Sequence, residues 1–273
     1  MTNVEDRVVS HYGGAGLFDR IMAGIAASGV AAGDLRTDHL KAVDEFHIGG
    51  AEATIALLDP LRIGARTRVL DIGSGIGGPA RLIAARYGAA VTGVDLTPDF
   101  VETARRLTEA VGLSASFVVG SALDLPFADG RFDLATLIHV GMNLADKPRL
   151  FAEAARVLAP GGTFAVYDVM RFGAHPQFPL PWATDPAASF LAAPEDYVRA
   201  AERAGFALRA RRDRGEVAKA FFAAMQARLA KAGSPAVALP IVMGASAPAK
   251  IANMVRAVEA GDIAPVELIF DKR

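Results

Sequence analysis

A glycine-rich segment between an apolar run and a helical pattern constrains the fold of this chain more than any other feature. The segment reads VLDIGSGIGG over residues 69–78. Gly73, Gly75 and Gly77 permit unusual backbone dihedral angles and a close approach of a ligand, and a helix that begins after them presents free amide groups at its N-terminus. A strand, a glycine turn and a helix in this order predict a site for a small charged metabolite on an α/β sheet.

Beyond Arg68 the chain alternates short apolar, β-branched runs with longer amphipathic ones. Thr97 followed by Pro98 predicts the start of one of the amphipathic helices, TPDFVETARRLTEAVG. The alternation is typical of an α/β fold with a doubly wound, mostly parallel sheet. Seven strands are predicted: RVLDI (68–72), AVTGVD (90–95), ASFVVG (115–120), FDLATLI (132–138), TFAVYDV (163–169), GFALRARRD (205–213) and PVELIF (265–270).

Three regions lie outside this alternation. Residues 1–60 contain helix-like stretches and no clear strand, so we expect a helical N-terminal cap before a main domain over 61–273. Within the main domain we expect insertions at about 171–194, a long loop, and at about 215–262, a helical lid or partner surface. Apolar residues at helical spacing in the second insertion indicate either core packing or a homodimer contact. They are Phe221, Phe222, Met225 and Leu229.

Composition and charge argue against several classes of function. The 273 residues carry 29 Lys and Arg against 30 Asp and Glu, a net charge of -1, so no basic field draws the chain to nucleic acid. The chain has no cysteine, which excludes disulfides and thiolate-bound zinc, and its five histidines lack metal-ligand spacing, so we predict no metal site. No uncharged apolar run reaches the roughly 18 residues of a spanning helix, and we expect a soluble, cytoplasmic protein without a membrane partner.

Two carboxylates decide which metabolite the glycine turn favours. Asp95 lies 18 positions after Gly77, at the end of the second predicted strand, where a carboxylate accepts hydrogen bonds from both hydroxyls of a ribose. The spacing from Gly73 to Gly78 also matches the dinucleotide fingerprint, but Asp71 would lie close to the pyrophosphate of NAD and repel it. S-adenosylmethionine carries a sulfonium and an α-ammonium, and these positive charges suit the two carboxylates.

Four motifs resemble class I S-adenosylmethionine-dependent methyltransferases over about residues 65–170: VLDIGSGIGG, GVD, GSALDLPFADGRFD and APGG, in the order of that family. The resemblance implies the Rossmann-like methyltransferase fold. It also implies that Asp71 and the Gly73 backbone hold the amino-acid end of the cofactor and that Asp95 holds the ribose. Many relatives have Asp where this chain has Ser121, so the bond to the adenine amino group is expected to be weaker or to come from a hydroxyl. The implied adenine contacts are Leu96 on the ring face and Ser121, Ala122 and Leu123 at its edge.

The segment after the fourth predicted strand carries the candidate for catalysis. His139 stands at the carboxyl edge of the sheet, where ligands of such folds bind. The segment resembles small-molecule N-methyltransferases acting on phosphoethanolamine, sarcosine or dimethylglycine, in which this histidine pairs with a tyrosine of the N-terminal cap. Tyr12 is the matching position, which implies a latch that also accepts a proton from the substrate. The alternatives are a histidine that only caps the strand and a tyrosine that only anchors the cap.

A second histidine precedes the first strand. Asp44-Glu45-Phe46-His47 resembles the DQFH-type segment of sarcosine and dimethylglycine methyltransferases, with Glu in place of Gln. The resemblance implies that His47 and the glycines after it close on the methionine end of the cofactor. The alternative is that these glycines only stop a helix.

Substrate contacts are predicted at the end of the fifth strand and in the loop that follows. Asp168 ends that strand, and His175 and Trp182 lie in the loop. An aromatic ring there would hold a substrate ammonium by cation–π attraction of roughly 0.5–2 kcal/mol. The alternative is that these side chains only pack in the core.

Three functions remain open at this point. The leading hypothesis is a methyltransferase that uses S-adenosylmethionine on nitrogen or oxygen of a small metabolite. The second is an NAD(P)-dependent oxidoreductase on the same type of sheet, which Asp71 disfavours. The third is a non-catalytic protein that has kept the nucleoside site.

Overall fold

A seven-stranded sheet forms the centre of the molecule. The computed structural model describes residues 5–7, 9, 16–232, 244 and 246–273. The strands are β1 (Arg68–Ile72), β2 (Ala90–Asp95), β3 (Ser116–Val119), β4 (Phe132–Ile138), β5 (Leu158–Arg171), β6 (Phe206–Asp213) and β7 (Ile263–Lys272). Their order is β3-β2-β1-β4-β5-β7-β6, with the first five parallel and β7 antiparallel to both neighbours. This confirms the predicted α/β fold with a mostly parallel sheet of seven strands.

Strand β5 begins earlier than the sequence predicts. The sequence predicts a start at Thr163 after a turn, whereas pairing with β4 begins at Leu158, opposite Phe132. Residues 159–162 then bulge out of the ladder before pairing resumes at Thr163. Gly161 has a φ of 71° in this bulge, a conformation that favours glycine. The predicted turn is therefore an irregularity within one longer strand.

Helices cover the sheet and connect its strands. They are α1 (Leu17–Ala27), α2 (Thr37–Asp44), α3 (Gly50–Leu58), α4 (Gly78–Tyr87), α5 (Pro98–Ala110), α6 (Lys147–Val157), α7 (Pro194–Arg203), α8 (Gly215–Ala232) and α9 (Ala247–Glu259). Helix α5 begins at Pro98, as predicted, although the side chain of Thr97 makes no capping bond. Helix α4 joins β1 to β2, α5 joins β2 to β3 and α6 joins β4 to β5, whereas residues 120–131 join β3 to β4 without a helix.

The N-terminal helices are attached to the first two crossover helices. Leu17, Ile21 and Ile25 of α1 form one buried cluster with Phe100 and Leu107 of α5. At the end of α2, Asp44 pairs with Arg81 of α4, with side-chain exposures of 6% and 1%. The guanidinium also donates to the carbonyl oxygen of Ile76 and to Thr108 Oγ1. This shared packing holds α2 beside the glycine turn.

The two insertions meet in another buried cluster. Trp182 of the first insertion packs with Phe222 of α8, Met254 of α9 and Val169 of β5. The side chain of Leu229, farther along α8, is 42% exposed. No helix in the described part of the chain is long and apolar enough to span a membrane.

Candidate functional site

A cavity of about 360 Å³ opens at the carboxyl ends of β1, β2 and β4, the edge where open α/β sheets bind ligands. Val43, Asp44 and Phe46, from the end of α2 and the turn after it, form part of its wall. Most of the residues that the sequence predicts for the site line this cavity. They are His47, Asp71, Gly73, Gly75, Asp95, Leu96, Ser121, Ala122, Leu123 and His139.

The glycine turn is shaped by close backbone packing. Gly73 has a φ of 72°, and its amide donates a 2.7 Å hydrogen bond to the carbonyl oxygen of Val94. A side chain at Gly73 would collide with Val140 of the β4–α6 connection. Gly77 lies behind the cavity wall, where its φ of 90° begins α4 and where a Cβ atom would come within 2.7 Å of the Phe117 ring. Gly73 and Gly75 therefore face the cavity, and Gly77 allows α4 to pack against the sheet.

Asp71 carries a half-satisfied carboxylate at the end of β1. The residue is 1% exposed. Its Oδ1 accepts a 2.7 Å hydrogen bond from Thr136 Oγ1, and its Oδ2 is buried without a partner among the residues that the structure describes. Burial raises the pKa of Asp71 to about 6, with a smaller contribution from the negative charge of Asp95. A positively charged hydrogen-bond donor in the cavity would satisfy Oδ2 and lower this pKa.

Asp95 is held by backbone amides at the end of β2. Its Oδ2 accepts from Gly75 N at 2.8 Å and its Oδ1 from Thr97 N at 2.9 Å. Burial raises its pKa, and these amide bonds oppose that shift. Because a carboxylate offers about four lone-pair positions, each oxygen can still accept a bond from a ligand hydroxyl.

Ser121 meets a residue of the N-terminal segment. Its hydroxyl donates to a carboxylate oxygen of Glu5 and accepts from the amide of Leu123 at 3.0 Å. Glu5 is 9% exposed and also lines the cavity. The sequence analysis misses Glu5, because nothing in its local pattern indicates which part of the sheet the N-terminal segment reaches.

Three rings gather at the end of the cavity nearest β5. The ring centroids of His47 and His139 are 5.7 Å apart, and Tyr167 lies 6.0 Å from His47 and 5.2 Å from His139. Burial lowers the pKa of His47 to about 4. Burial also lowers the pKa of His139 well below its usual value, and the neighbouring His47 adds to this effect. Both imidazoles are therefore uncharged near neutral pH, with lone pairs available to accept a proton or a hydrogen bond.

A buried carboxyl stands behind His47. Glu45 Oε2 accepts from Thr54 Oγ1 at 2.9 Å and lies 3.5 Å from His47 Nε2. The same nitrogen lies 3.0 Å from the carbonyl oxygen of Gly50. Burial raises the pKa of Glu45 to about 8, and the nearby Asp44 charge adds to this shift. The carboxyl is therefore mostly protonated at pH 7.

Residues 70–166 match the family model described as a methyltransferase domain. The chain carries a methyltransferase domain over these residues. Its matched segment contains the glycine turn, Asp71, Asp95 and His139.

Curated methyltransferases resemble this domain over part of their length. The chain is 34% identical over 132 residues to methyltransferase GfsG of Streptomyces halstedii, which covers 48% of this chain and 48% of that protein. It is 42% identical over 101 residues to the chloroplastic tocopherol O-methyltransferase of Arabidopsis thaliana, covering 36% and 29%. The chain thus spans less than half the length of either relative.

A solved structure extends the likeness over the whole chain. Phosphoethanolamine N-methyltransferase 2 of Haemonchus contortus, in complex with S-adenosyl-L-methionine, aligns with 100% of this chain and 60% of its own, at a TM-score of 0.74 and 19% identity. At this identity the likeness concerns the fold of the methyltransferase domain and its attached helices.

Other predicted site residues lie away from the cavity. Asp168 is fully buried beneath the β4–α6 connection, where its Oδ2 accepts a 2.7 Å bond from the Tyr197 hydroxyl. Trp182 is 3% exposed within the cluster of the two insertions and donates to Ser189 Oγ at 3.0 Å. His175 is exposed and does not line the cavity. Tyr12 lies outside the described residues. The structure therefore does not bring Asp168, Trp182 or His175 to the wall of this cavity.

One further polar residue of the methyltransferase domain lines the cavity and is missed by the sequence analysis. Asn143 lies in a short 3₁₀ helix, Gly141–Asn143, on the β4–α6 connection. Its Oδ1 is buried without a hydrogen-bond partner in the part of the chain described. Its position four residues after His139, at the carboxyl edge of β4, is the signal that could have indicated it.

Proposed function

We propose that this protein transfers the methyl group of S-adenosylmethionine to oxygen or nitrogen of a small molecule. The observation that carries the proposal is Oδ2 of Asp71, which has no partner among the described residues and is buried at a cavity that Asp95 also lines. A buried polar atom without a partner costs roughly 1–3 kcal/mol, and a ligand ammonium would remove that cost. A pyrophosphate at the same place would meet two carboxylates and be repelled.

The lining residues fit the parts of S-adenosylmethionine in order. Asp71 Oδ2 would accept from the α-ammonium. Asp95 would use its remaining lone pairs for the ribose hydroxyls, since its amide bonds to Gly75 and Thr97 fix the carboxylate in place. The adenine ring would lie among Leu96, Ala122 and Leu123, with the Ser121 hydroxyl and the Glu5 carboxylate at its edge.

Positioning and proton removal are the tasks left to the protein. When bound, S-adenosylmethionine supplies an electrophilic methyl group on a positively charged sulfur. The cavity aligns the acceptor atom with that methyl group and keeps water out. His139, uncharged and bordering the cavity, would accept the proton that the acceptor loses.

The N-terminal helices would act as a cap on this site. Val43, Asp44 and Phe46 already contribute to the cavity wall, which supports a cap that covers the bound cofactor. Tyr12 would complete the cap by accepting a hydrogen bond from Nδ1 of His139, which leaves Nε2 for the acceptor, as the resemblance to small-molecule N-methyltransferases implies a Tyr12–His139 pair.

The proposal is tested by assaying release of S-adenosylhomocysteine with a panel of amines, phenols and carboxylic acids. We expect methylated product from at least one class and a large loss of turnover in His139→Ala, with cofactor affinity retained. If S-adenosylhomocysteine binds tightly and no compound is methylated, the chain is a binding protein that has lost turnover, and the proposed transfer is wrong.

A further inference from the structure

The β4–α6 connection carries two unsatisfied polar atoms at the cavity that the proposed cofactor contacts do not use. They are Nε2 of His139 and Oδ1 of Asn143, each buried without a hydrogen-bond partner within the described residues. Both residues line the cavity. Native proteins leave few buried polar atoms unpaired, so two on one connection beside one cavity indicate a ligand group that pairs with them.

The connection is held rigidly in this shape. His139 has a φ of 54°, unusual for a residue with a side chain, and its amide donates a 2.8 Å bond to the carbonyl oxygen of Tyr167. Gly141 packs so closely on Asp168 and Tyr197 that a Cβ atom would collide with both. Asp168 does not line the cavity. It contacts Gly141 and so fixes the turn that carries His139 and Asn143.

Among the residues that the structure describes, the side chains around His139 at the cavity carry no charge at pH 7. His139 and His47 are neutral because burial lowers the pKa of each, and Glu45 behind them is mostly protonated because burial raises its pKa to about 8. The other walls there include Ile138, Val140 and Phe46, which are apolar.

The carboxylates that line the cavity are engaged elsewhere. Asp44 pairs with Arg81, and Glu5 with Ser121. Asp71 and Asp95 flank the glycine turn, where the proposed cofactor would use them. Asp146 lies at the rim, exposed to water, and caps α6 through a 2.9 Å bond from the amide of Arg149.

We propose that the acceptor is an uncharged molecule whose hydroxyl group donates to Nε2 of His139 and accepts from the side-chain amide of Asn143, turned so that Nδ2 takes the place of Oδ1. The inference rests on the proposed methyl transfer. The hydroxyl oxygen forms the new bond to the methyl carbon while the sulfur–methyl bond breaks and its electron pair stays on sulfur. The hydroxyl proton passes to His139 and then to water, and the products are a methyl ether and S-adenosylhomocysteine.

A neutral, weakly basic histidine suits a hydroxyl better than an ammonium. The proton of a hydroxyl becomes strongly acidic as its oxygen gains the methyl group, so even a weak base can accept it. An ammonium has no free lone pair, and burying its charge among neutral groups is unfavourable without a carboxylate partner. The Asn143 amide adds orientation, because it fixes the oxygen relative to the imidazole.

The test uses matched pairs of compounds with labelled S-adenosylmethionine. Each pair has one skeleton and differs in one group, and each amine is an alkylamine that is protonated at pH 7: benzyl alcohol with benzylamine, and a long-chain alcohol with its amine. We expect methylation of hydroxyl members and at least tenfold less of the amines. Asn143→Leu should lower turnover on the hydroxyl members by about tenfold, while its affinity for S-adenosylhomocysteine changes less than twofold. Asp146→Asn, which keeps an oxygen to cap α6, is the matched control and should leave turnover unchanged.

Three results would overturn the inference. They are a preference for the amine members, full turnover in Asn143→Leu, and no product from any hydroxyl member while S-adenosylhomocysteine binds. If the unmodified protein does not bind S-adenosylhomocysteine, the proposed function itself is contradicted. The retained affinity of Asn143→Leu separates a local effect from misfolding.

Discussion

Thr136 Oγ1 donates a 2.7 Å hydrogen bond to Asp71 Oδ1 and leaves the second carboxylate oxygen, Oδ2, facing the cavity side of β1 without a partner in the described chain. Thr136 lies opposite Asp71 in the parallel pairing of β4 with β1. The hydrogen bond thus orients the carboxylate, and burial raises its pKa to about 6. The proposed cofactor binding depends on the ionised form of this group.

Binding of S-adenosylhomocysteine should weaken as the pH falls through about 6. The ligand ammonium favours ionised Asp71, and protonation removes that attraction. For a pKa of about 6, affinity should fall about tenfold between pH 7 and pH 5. Calorimetric titration measures this, and Asp71→Asn should bind weakly with a nearly flat profile. A wild-type profile as flat as that of the variant would contradict the role of Asp71.

Thr136→Val should move this pH dependence to higher pH. The bond from Thr136 lowers the pKa of Asp71 against the effect of burial, so its removal raises the pKa further. Valine keeps nearly the same shape. The midpoint of S-adenosylhomocysteine affinity should therefore rise above 6, with near wild-type affinity restored at pH 8. An unchanged midpoint would mean that Thr136 does not tune the carboxylate.

Asp44→Ala should destabilise the protein by about 3–5 kcal/mol, because it leaves the buried guanidinium of Arg81 without its carboxylate. The free energy of unfolding in urea measures this loss. The control is Asp38→Ala on the same helix, where the pair with Lys41 is 74% and 59% exposed and contributes less than about 1 kcal/mol. Equal losses in the two variants would show that the Asp44–Arg81 pair does not anchor α2.

Glu45→Gln should make the protein more stable at alkaline pH. Burial raises the pKa of Glu45 from 4.5 to about 8, so the folded state keeps a proton that the unfolded state releases. Stability is therefore lost as the pH rises from about 4.5 to 8, by an amount on the order of a few kcal/mol. Glutamine keeps the shape without the titration.

Urea unfolding at pH 4.5 and pH 9 tests this prediction. Wild type and Glu45→Gln should be similar at pH 4.5, below the range in which the wild type loses stability, and the variant should be the more stable at pH 9. Glu52→Gln, at an exposed position of α3, should follow the wild type at both pH values. If Glu45→Gln loses as much stability at alkaline pH as the wild type does, the pKa of Glu45 is the same in the folded and unfolded states and the prediction is wrong.

Local patterns in the sequence predict the sheet and the centre of the site. Asp71 and Asp95 end neighbouring parallel strands, and the register pairs Asp71 with Gly93. Parallel strands end at one edge, so two strand ends that are 24 positions apart in the sequence meet at one cavity. The glycines between them indicate the turn without knowledge of the rest of the chain.

Contacts between distant segments are not predicted in the same way. Glu5 reaches Ser121, 116 positions away, and no periodic pattern encodes that approach. Trp182 looks like a substrate contact because it follows a strand that ends at the cavity edge, but its loop folds back on α8 and α9 and buries the indole. Asp168 supports the turn only because its carboxylate packs directly against Gly141. Residue types alone do not specify such a close contact.

The most direct test of the cavity's charge preference is calorimetric titration of the wild type and Asp71→Asn with S-adenosylhomocysteine and with NADH at pH 7.5. We expect the wild type to bind S-adenosylhomocysteine and not NADH, and Asp71→Asn to lose at least tenfold in affinity for S-adenosylhomocysteine. Tighter binding of NADH than of S-adenosylhomocysteine, or equal binding of S-adenosylhomocysteine by both proteins, would contradict the account.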